Sequence, residues 1–408
     1  MNNSEKKINL LLVDDDEDEY FLMQDMLEDA RETKYSLEWA SNYDEALEKI
    51  SSEEYDVFLV DYNLGKKTGV DLLNEEIVKR SEAPLIMITG QTNREIDLKA
   101  MKAGADDYLV KGEFGYDMLD RAIRYCREHK KLISELRQYQ RIMDQDLKMA
   151  QQIQEHFLPR TFPYNNKLNF AASYRASSHI GGDLYGAFGL REGVAGFHIT
   201  DVSGHGVSAA LVSAIMKVTV DGCRHSVVSG LHHFNDSLAE SPDDIDDAII
   251  HFMKDLNQSM FDLMEANRFV TFLMGLCVVN SGEIHLANAG HTPPVLWKSK
   301  SESIKKITPP PNLALGIMKE VDFRIHNITM EPGDKIVLYT DGITERNNPD
   351  NEEFGEERLE KVIMENGKKS PQKLVDAITG AVDEFAAGVS PRDDQSLLIM
   401  EYTPEKQD

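Results

Sequence analysis

The chain has 408 residues, enough for two or three domains, with 41% apolar residues, 28% charged residues and a net charge of −27. That composition is ordinary for soluble globular protein, and no stretch collects lysine and arginine on one face, which speaks against nucleic-acid binding. No apolar run approaches the roughly 20 residues needed to cross a membrane, and Cys126, Cys223 and Cys277 are too scattered to form a metal-ligand pair, so a cytoplasmic protein with reduced thiols is expected.

From Ile8 the chain alternates short apolar runs with helical patterns, with no secretory signal expected ahead of them. Ile8–Val13 ends in Asp14, Asp15 and Asp16, and the helical pattern Tyr20, Leu22, Met23, Met26, Leu27 follows. Further strands are expected at 36–40, 56–60, 84–89 and 107–110, and helices at 43–50, 69–79, 94–102 and from 115 onward. Five such units predict an α/β fold, a doubly wound parallel sheet with helices on both faces, over residues 1–128. Sites in these folds lie at the carboxyl ends of strands. Asp14 and Asp15 end the first strand, Asp61 the third, Thr89 the fourth and Lys111 the fifth. Two carboxylates about 4 Å apart repel by roughly 4 kcal/mol at an effective dielectric near 20. A magnesium ion removes that cost and leaves room for a phosphate, to which Thr89 offers a hydroxyl and Lys111 a cation.

Together these residues resemble the receiver domain of bacterial response regulators. The resemblance implies that Asp61 is the phospho-acceptor, phosphorylated by a cognate histidine kinase or phosphotransfer protein. It implies magnesium held by Asp15, Asp61 and the backbone carbonyl of Asn63, with Asp14 helping through water. Thr89 and Tyr108 would form the switch pair, and Lys111 the phosphate contact. Gly112 stands where the family commonly has proline, so a more flexible loop without the family's cis peptide is expected there.

No proline or glycine interrupts 116–158, and Pro159 ends that helical stretch. Leu132, Leu136, Tyr139, Met143, Asp146, Ala150, Ile153 and Phe157 step by 4,3,4,3,4,3,4, a heptad seam with one polar break. Residues 129–163 are therefore read as a linker forming a parallel two-stranded coiled coil, and the protein as a homodimer through it. The alternative is a helix that lays its stripe on its own domain.

Over 164–408 strand patterns take over, at 168–174, 184–190, 194–200, 268–279, 283–288, 294–297, 322–328, 335–340 and 396–401. Helical patterns are fewer, at 206–220, 246–264, 356–365 and 371–386, so two packed sheets flanked by helices are expected. The stretch 198–211 carries the clearest chemistry. An apolar strand delivers Asp201 to a glycine turn, Gly204 and Gly206, from which a helix leaves. A carboxylate at the end of a buried strand needs a partner, and basic residues nearby are few, so a metal ion is the natural candidate. Other acids stand at strand edges: Asp183 after Gly181-Gly182, Asp341 after Lys335–Thr340, and Asp393-Asp394 before Gln395.

As a set these acids, with Gln152–Pro159, Asn288–His291, Leu313–Gly316 and Thr340–Thr344, resemble the metal-dependent serine/threonine protein phosphatases, in the bacterial sporulation and stress-response branch. The resemblance implies an α/β/β/α sandwich and two manganese or magnesium ions. Asp201 would bridge both ions and Val202 lend its carbonyl to one. Asp341 and Asp394 would hold the other, Asp183 would act through bound water, and Asp393 would orient the loop. His205 is a candidate proton donor to the leaving oxygen; His291 reads as structural. Gly186 stands where the family often has a second acid, and Ser396 where threonine is usual. The expected function is a response regulator whose output is a phosphoserine/phosphothreonine protein phosphatase, acting on an anti-sigma-factor antagonist. The alternative is a catalytically weak binding module that sequesters a signalling partner, against which the crowded acids speak.

Overall fold

The computed structural model describes residues 7–28, 33–52, 54–90, 102–159, 161–163, 167–231, 242–264, 268–310 and 312–403. The chain divides into two compact units, Met1–Asp144 and Gln145–Asp408.

In the first unit β1 (Ile8–Val13), β2 (Tyr35–Ala40), β3 (Val57–Asp61), β4 (Leu85–Thr89) and β5 (Asp107–Val110) form one sheet in the order β2-β1-β3-β4-β5, every pair parallel. The central strands are apolar at almost every position because both faces are covered. Leu10, Leu12, Leu59 and Ile86 pack on one side, and Leu11, Val13, Val60 and Met87 on the other. Each such buried side chain contributes roughly 1.5–3 kcal/mol. The helices are α1 (Glu17–Glu28), α2 (Tyr43–Ser52), α3 (Gly69–Leu73), α4 (Glu76–Arg80) and α5 (Tyr116–Glu155).

The single helix expected over 69–79 is two. Thr68 and Asp71 form a reciprocal capping box at the start of α3, and Asn74 stops it, donating its side-chain amide to Val70 O at 3.0 Å. The helix expected at 94–102 lies outside the described residues except for Lys102. Among the described residues no peptide bond is cis, and Gly112 adopts φ +78°. α5 is continuous over 40 residues. Leu132, Leu136, Tyr139, Met143 and Ile153 of its seam are exposed.

The second unit holds two antiparallel five-stranded sheets. Its strands are β6 (Leu168–Arg175), β7 (Leu184–Arg191), β8 (Val194–Val202), β9 (Val270–Val278), β10 (Glu283–Ala289), β11 (Val295–Lys298), β12 (Ser303–Lys306), β13 (Ile325–Thr329), β14 (Lys335–Tyr339) and β15 (Gln395–Tyr402). One sheet runs β13-β10-β9-β8-β7 and the other β12-β11-β14-β15-β6. Phe197, Leu273 and Leu286 of the first meet Ile336, Leu398 and Met400 of the second in a shared core. Helices α6 (Val207–Leu231) and α7 (Pro242–Leu263) cover the first sheet through Met216, Phe252 and Met260. After the one-turn α8 (Asp341–Thr344), α9 (Gly355–Asn366) and α10 (Pro371–Ala386) cover the second through Leu359, Leu374 and Ile378. The layers are α/β/β/α. No helix among the described residues is long and apolar enough to cross a membrane.

Candidate functional site

Each unit gathers acids at one place. In the first, Asp14 follows β1 and is buried, Asp15 is exposed, and Asp61 closes β3 and is buried. Their ligand oxygens all lie within 4.8 Å of one another, the one such group of three among the described residues. Lys111, just past β5, reaches between them, with Nζ 2.7 Å from Asp14 Oδ2 and 2.9 Å from Asp61 Oδ1. The Asn63 backbone N–H donates to Asp61 Oδ2 at 2.7 Å. Burial raises the Asp61 carboxyl above its ordinary range even with Lys111 alongside. Burial works against the charge on Lys111, but hydrogen bonds to Asp14 and Asp61 outweigh it and raise its pKa. Thr89 is buried at the end of β4, and Tyr108 on β5 is exposed.

In the second unit the acids come from both sheets. Asp183 immediately precedes β7 and is buried; its Oδ2 accepts the Thr340 hydroxyl at 2.7 Å. Asp201 lies at the end of β8, opposite Thr271 of β9, with a side-chain hydrogen bond to Asp183. Asp341 opens α8, and Asp393 and Asp394 lead into β15. Burial comes first in raising Asp183 well above the ordinary carboxylate range, with Asp201 and Asp394 adding to it. Asp201 is pushed up to about 7 by burial, then by Asp341, Asp393 and Asp394. Burial also raises Asp341 and Asp393. Among the described residues no lysine or arginine forms an ion pair with any of these five acids. A buried surplus of hard oxygen donors without a protein cation is the chemistry that fits divalent ions such as magnesium or manganese.

Asp394 was expected at a metal and Asp393 in the loop. In the structure both oxygens of Asp394 accept loop donors, Oδ1 from Ser177 N–H at 2.7 Å and Ser177 Oγ at 3.0 Å, Oδ2 from Gly182 N–H at 2.6 Å, while its charge also acts on Asp183 and Asp201. Gly181 has to be glycine because a Cβ there would run into the Asp394 carboxylate. Asp393 accepts the Asp394 N–H at 2.8 Å and feels the charges of Asp341, Asp394 and His205. The place left without an acid at Gly186 is also filled. His198, its cross-strand partner, puts Nε2 where a Cβ on Gly186 would lie, and stacks on Phe272. Burial lowers the His198 pKa to about 3, so the ring there is neutral.

His291 is buried and its pKa is lowered to about 4 by burial; its Nδ1 pairs with Thr271 Oγ1 at 2.8 Å. The Asn288 amide brackets its backbone, accepting from His291 N–H and donating to His291 O. Sequence reasoning missed three participants. Thr340 holds Asp183 and also accepts the Ser396 N–H at 2.9 Å. Glu345, one helical turn beyond Asp341, is raised by burial and by Asp341, Glu353 and Asp393. Gln154 contacts the Gly181 backbone. Thr340 and Gln154 lie inside stretches the sequence had singled out, but nothing in spacing alone marks them as contacts.

The family model described as Stage II sporulation protein E (SpoIIE) matches residues 191–403, over half of the chain. The chain belongs to the SpoIIE family. The response regulator receiver domain model matches residues 10–124, so a receiver domain precedes a SpoIIE-type PP2C phosphatase domain. Phosphoserine phosphatase RsbU of Bacillus subtilis is 25% identical over 294 residues, 72% of this chain and 78% of that protein. Phosphoserine phosphatase RsbP of the same organism is 28% identical over 204 residues, 48% of this chain. Protein IcfG of Synechocystis is 23% identical over 303 residues, 71% of this chain. The chain spans 45% of RsbP and 46% of IcfG. Among solved structures the SiaA-PP2C domain of Pseudomonas aeruginosa superposes with a TM-score of 0.53 at 18% identity, covering 65% of this chain and 98% of that one; it shares the fold.

Proposed function

We propose that this SpoIIE-family chain is a response regulator whose output is a divalent-metal-dependent phosphoserine/phosphothreonine protein phosphatase, switched by phosphorylation of Asp61. The observation that carries the reading is the five-acid centre without a protein cation. Asp201, the Val202 carbonyl, Asp341 and Asp393 would hold two manganese or magnesium ions, with Asp183 acting through bound water and Asp393 taking the place first given to Asp394. Such a pair, when bound, supplies an acidified water and a counter-charge for the phosphate. Thr340 fixes the Asp183 carboxylate, and Asp394 fixes the backbone that carries it. His205, whose charge acts on Asp393, would give a proton to the departing serine or threonine oxygen.

In the receiver, Asp14, Asp15, Asp61 and the Asn63 carbonyl hold magnesium. Lys111 and Thr89 contact the phosphoryl group delivered by a histidine kinase or phosphotransfer protein, and Thr89 and Tyr108 switch together. The substrate is a phosphorylated anti-sigma-factor antagonist; likeness to phosphoserine phosphatases RsbU and RsbP supports the phosphoserine part of that reading. The exposed seam of α5 supports a homodimer through a coiled coil. The deciding experiment measures manganese-dependent turnover of a phosphorylated antagonist by the full chain and by Asp61→Ala, with and without a small-molecule phosphoryl donor. Turnover by both, changed by the donor in the wild type alone, is expected. Absence of turnover under every condition would leave a binding module; an equal donor effect in Asp61→Ala would remove Asp61 from the control.

A further inference from the structure

Resting on that reading, we infer that Gln154 is a positioning residue for the loop 177–183, tying the last turn of the connecting helix to the metal-binding centre. Around it α5 is open to solvent: Ile153 is 57% exposed and Met149 66%, yet Gln154 is 6% exposed. Its side chain closes a two-point clamp on one residue. Nε2 donates to Gly181 O at 2.5 Å, and Oε1 accepts the Gly181 N–H at 3.1 Å. The Tyr174 hydroxyl, on β6, also donates to Oε1 at 3.4 Å.

The amide is suited to this use. It offers a donor and an acceptor side by side, matching the N–H and C=O of a single backbone residue, and carries no charge into a region already crowded with carboxylates. Beyond the helix, Phe157 and Leu158 pack against the sheet-and-helix core, which holds the last turn in place. The loop is thus gripped from two directions. Asp394 takes the N–H groups of Ser177 and Gly182, and Gln154 takes both backbone groups of Gly181 between them. Asp183, two residues on, is the acid this arrangement delivers. A move of the final helical turn that withdraws the amide leaves the Gly181 N–H and C=O buried without partners, so the loop has to shift with it. Gln154 touches no reacting atom; it acts by fixing where Asp183 stands.

The test uses the full-length chain and manganese as the probe. Wild type, Gln154→Ala, Gln154→Glu and the exposed control Gln152→Ala are compared in three ways: manganese dependence of para-nitrophenyl phosphate turnover, manganese-induced rise in unfolding temperature, and amide hydrogen exchange across 177–183 without metal. Gln154→Ala is expected to raise the half-saturating manganese concentration about tenfold, as loss of a net hydrogen bond or two would, with most of kcat recovered at saturation. Exchange should quicken at Gly181 while Gly182, held by Asp394, stays protected. Gln154→Glu loses the donor and sets a buried charge against the Gly181 carbonyl, so it should be raised at least as far as Gln154→Ala, and Gln152→Ala should match wild type. If Gln154→Ala does not fold, a raised manganese midpoint in Gln154→Glu carries the assignment and a wild-type midpoint overturns it. Wild-type manganese dependence and unchanged Gly181 exchange in a folded Gln154→Ala overturn it outright. A wild type showing neither turnover nor manganese stabilisation sinks the phosphatase reading itself.

Discussion

The two acidic centres solve the same electrostatic problem in opposite ways. In the receiver, Lys111 stands between Asp14 and Asp61, so the protein supplies its own counter-charge and the acids are compact. In the phosphatase unit, acids from two sheets meet without a lysine or arginine partner among the described residues, and burial drives their pKa values up. A site that carries its own cation is stable while waiting for a transient guest. A site that lacks one leaves buried carboxylates uncompensated.

The sharpest way to break this contrast is Asp201→Asn, which removes the acid shared by both sets of neighbours. Turnover of para-nitrophenyl phosphate with manganese should fall on the order of 10³-fold, the loss expected when several kcal/mol of metal assistance go. The metal-free variant should melt no lower than wild type, since it sheds repulsion. Retained turnover would mean that the acids do not hold the ions. A second test strikes the other centre: Lys111→Met leaves Asp14 and Asp61 facing each other without the ammonium. Denaturant titration without magnesium should show the receiver destabilised by roughly 2–4 kcal/mol, with magnesium restoring part of it. A loss no larger than about 0.5 kcal/mol, the size of an ordinary surface change, would show that Lys111 is not the counter-charge.

The smallest effect is a pH dependence. The folded-state pKa of Asp201 is raised from 3.8 to about 7, so without metal its proton favours the fold below the ordinary carboxylate value, and that contribution is lost as pH rises through about 7. Manganese competes with the same proton. The manganese-induced gain in melting temperature should therefore grow between pH 5 and pH 7, by a few degrees at most. The neutral histidines His198 and His291, with lowered pKa values, work in the other direction, but they contribute alike with and without metal and drop out of the difference. A gain that is flat or shrinks over this range would count against an uncompensated acid centre.

Much of this was legible in the sequence because buried strands announce themselves by apolar runs and their ends by carboxylates. Ile8–Val13 and Asp14, or Val194–Ile199 and Asp201, needed no tertiary information. Adjacent aspartates were another matter. Asp393 and Asp394 are interchangeable in any pattern of spacing, and only the backbone leading into β15 decides which one takes the donors of the loop at 177–182. β12 escaped notice because four residues at a sheet edge, Ser303–Lys306, show no apolar alternation. The break between α3 and α4 hung on a side-chain amide folding back on its own helix at Asn74. Gln154 was hidden for a related reason: a polar residue on a helix reads as solvated unless its partner, here Gly181, is known.

Thr340 accepts from Ser396 N–H on β15 while donating to Asp183 beside β7, so one hydroxyl stitches together strands of the two different sheets. Either sheet by itself carries two or three of the five acids: Asp183 and Asp201 on one, Asp341, Asp393 and Asp394 on the other. On the proposed function, the metal centre is therefore complete only once the two sheets have packed together.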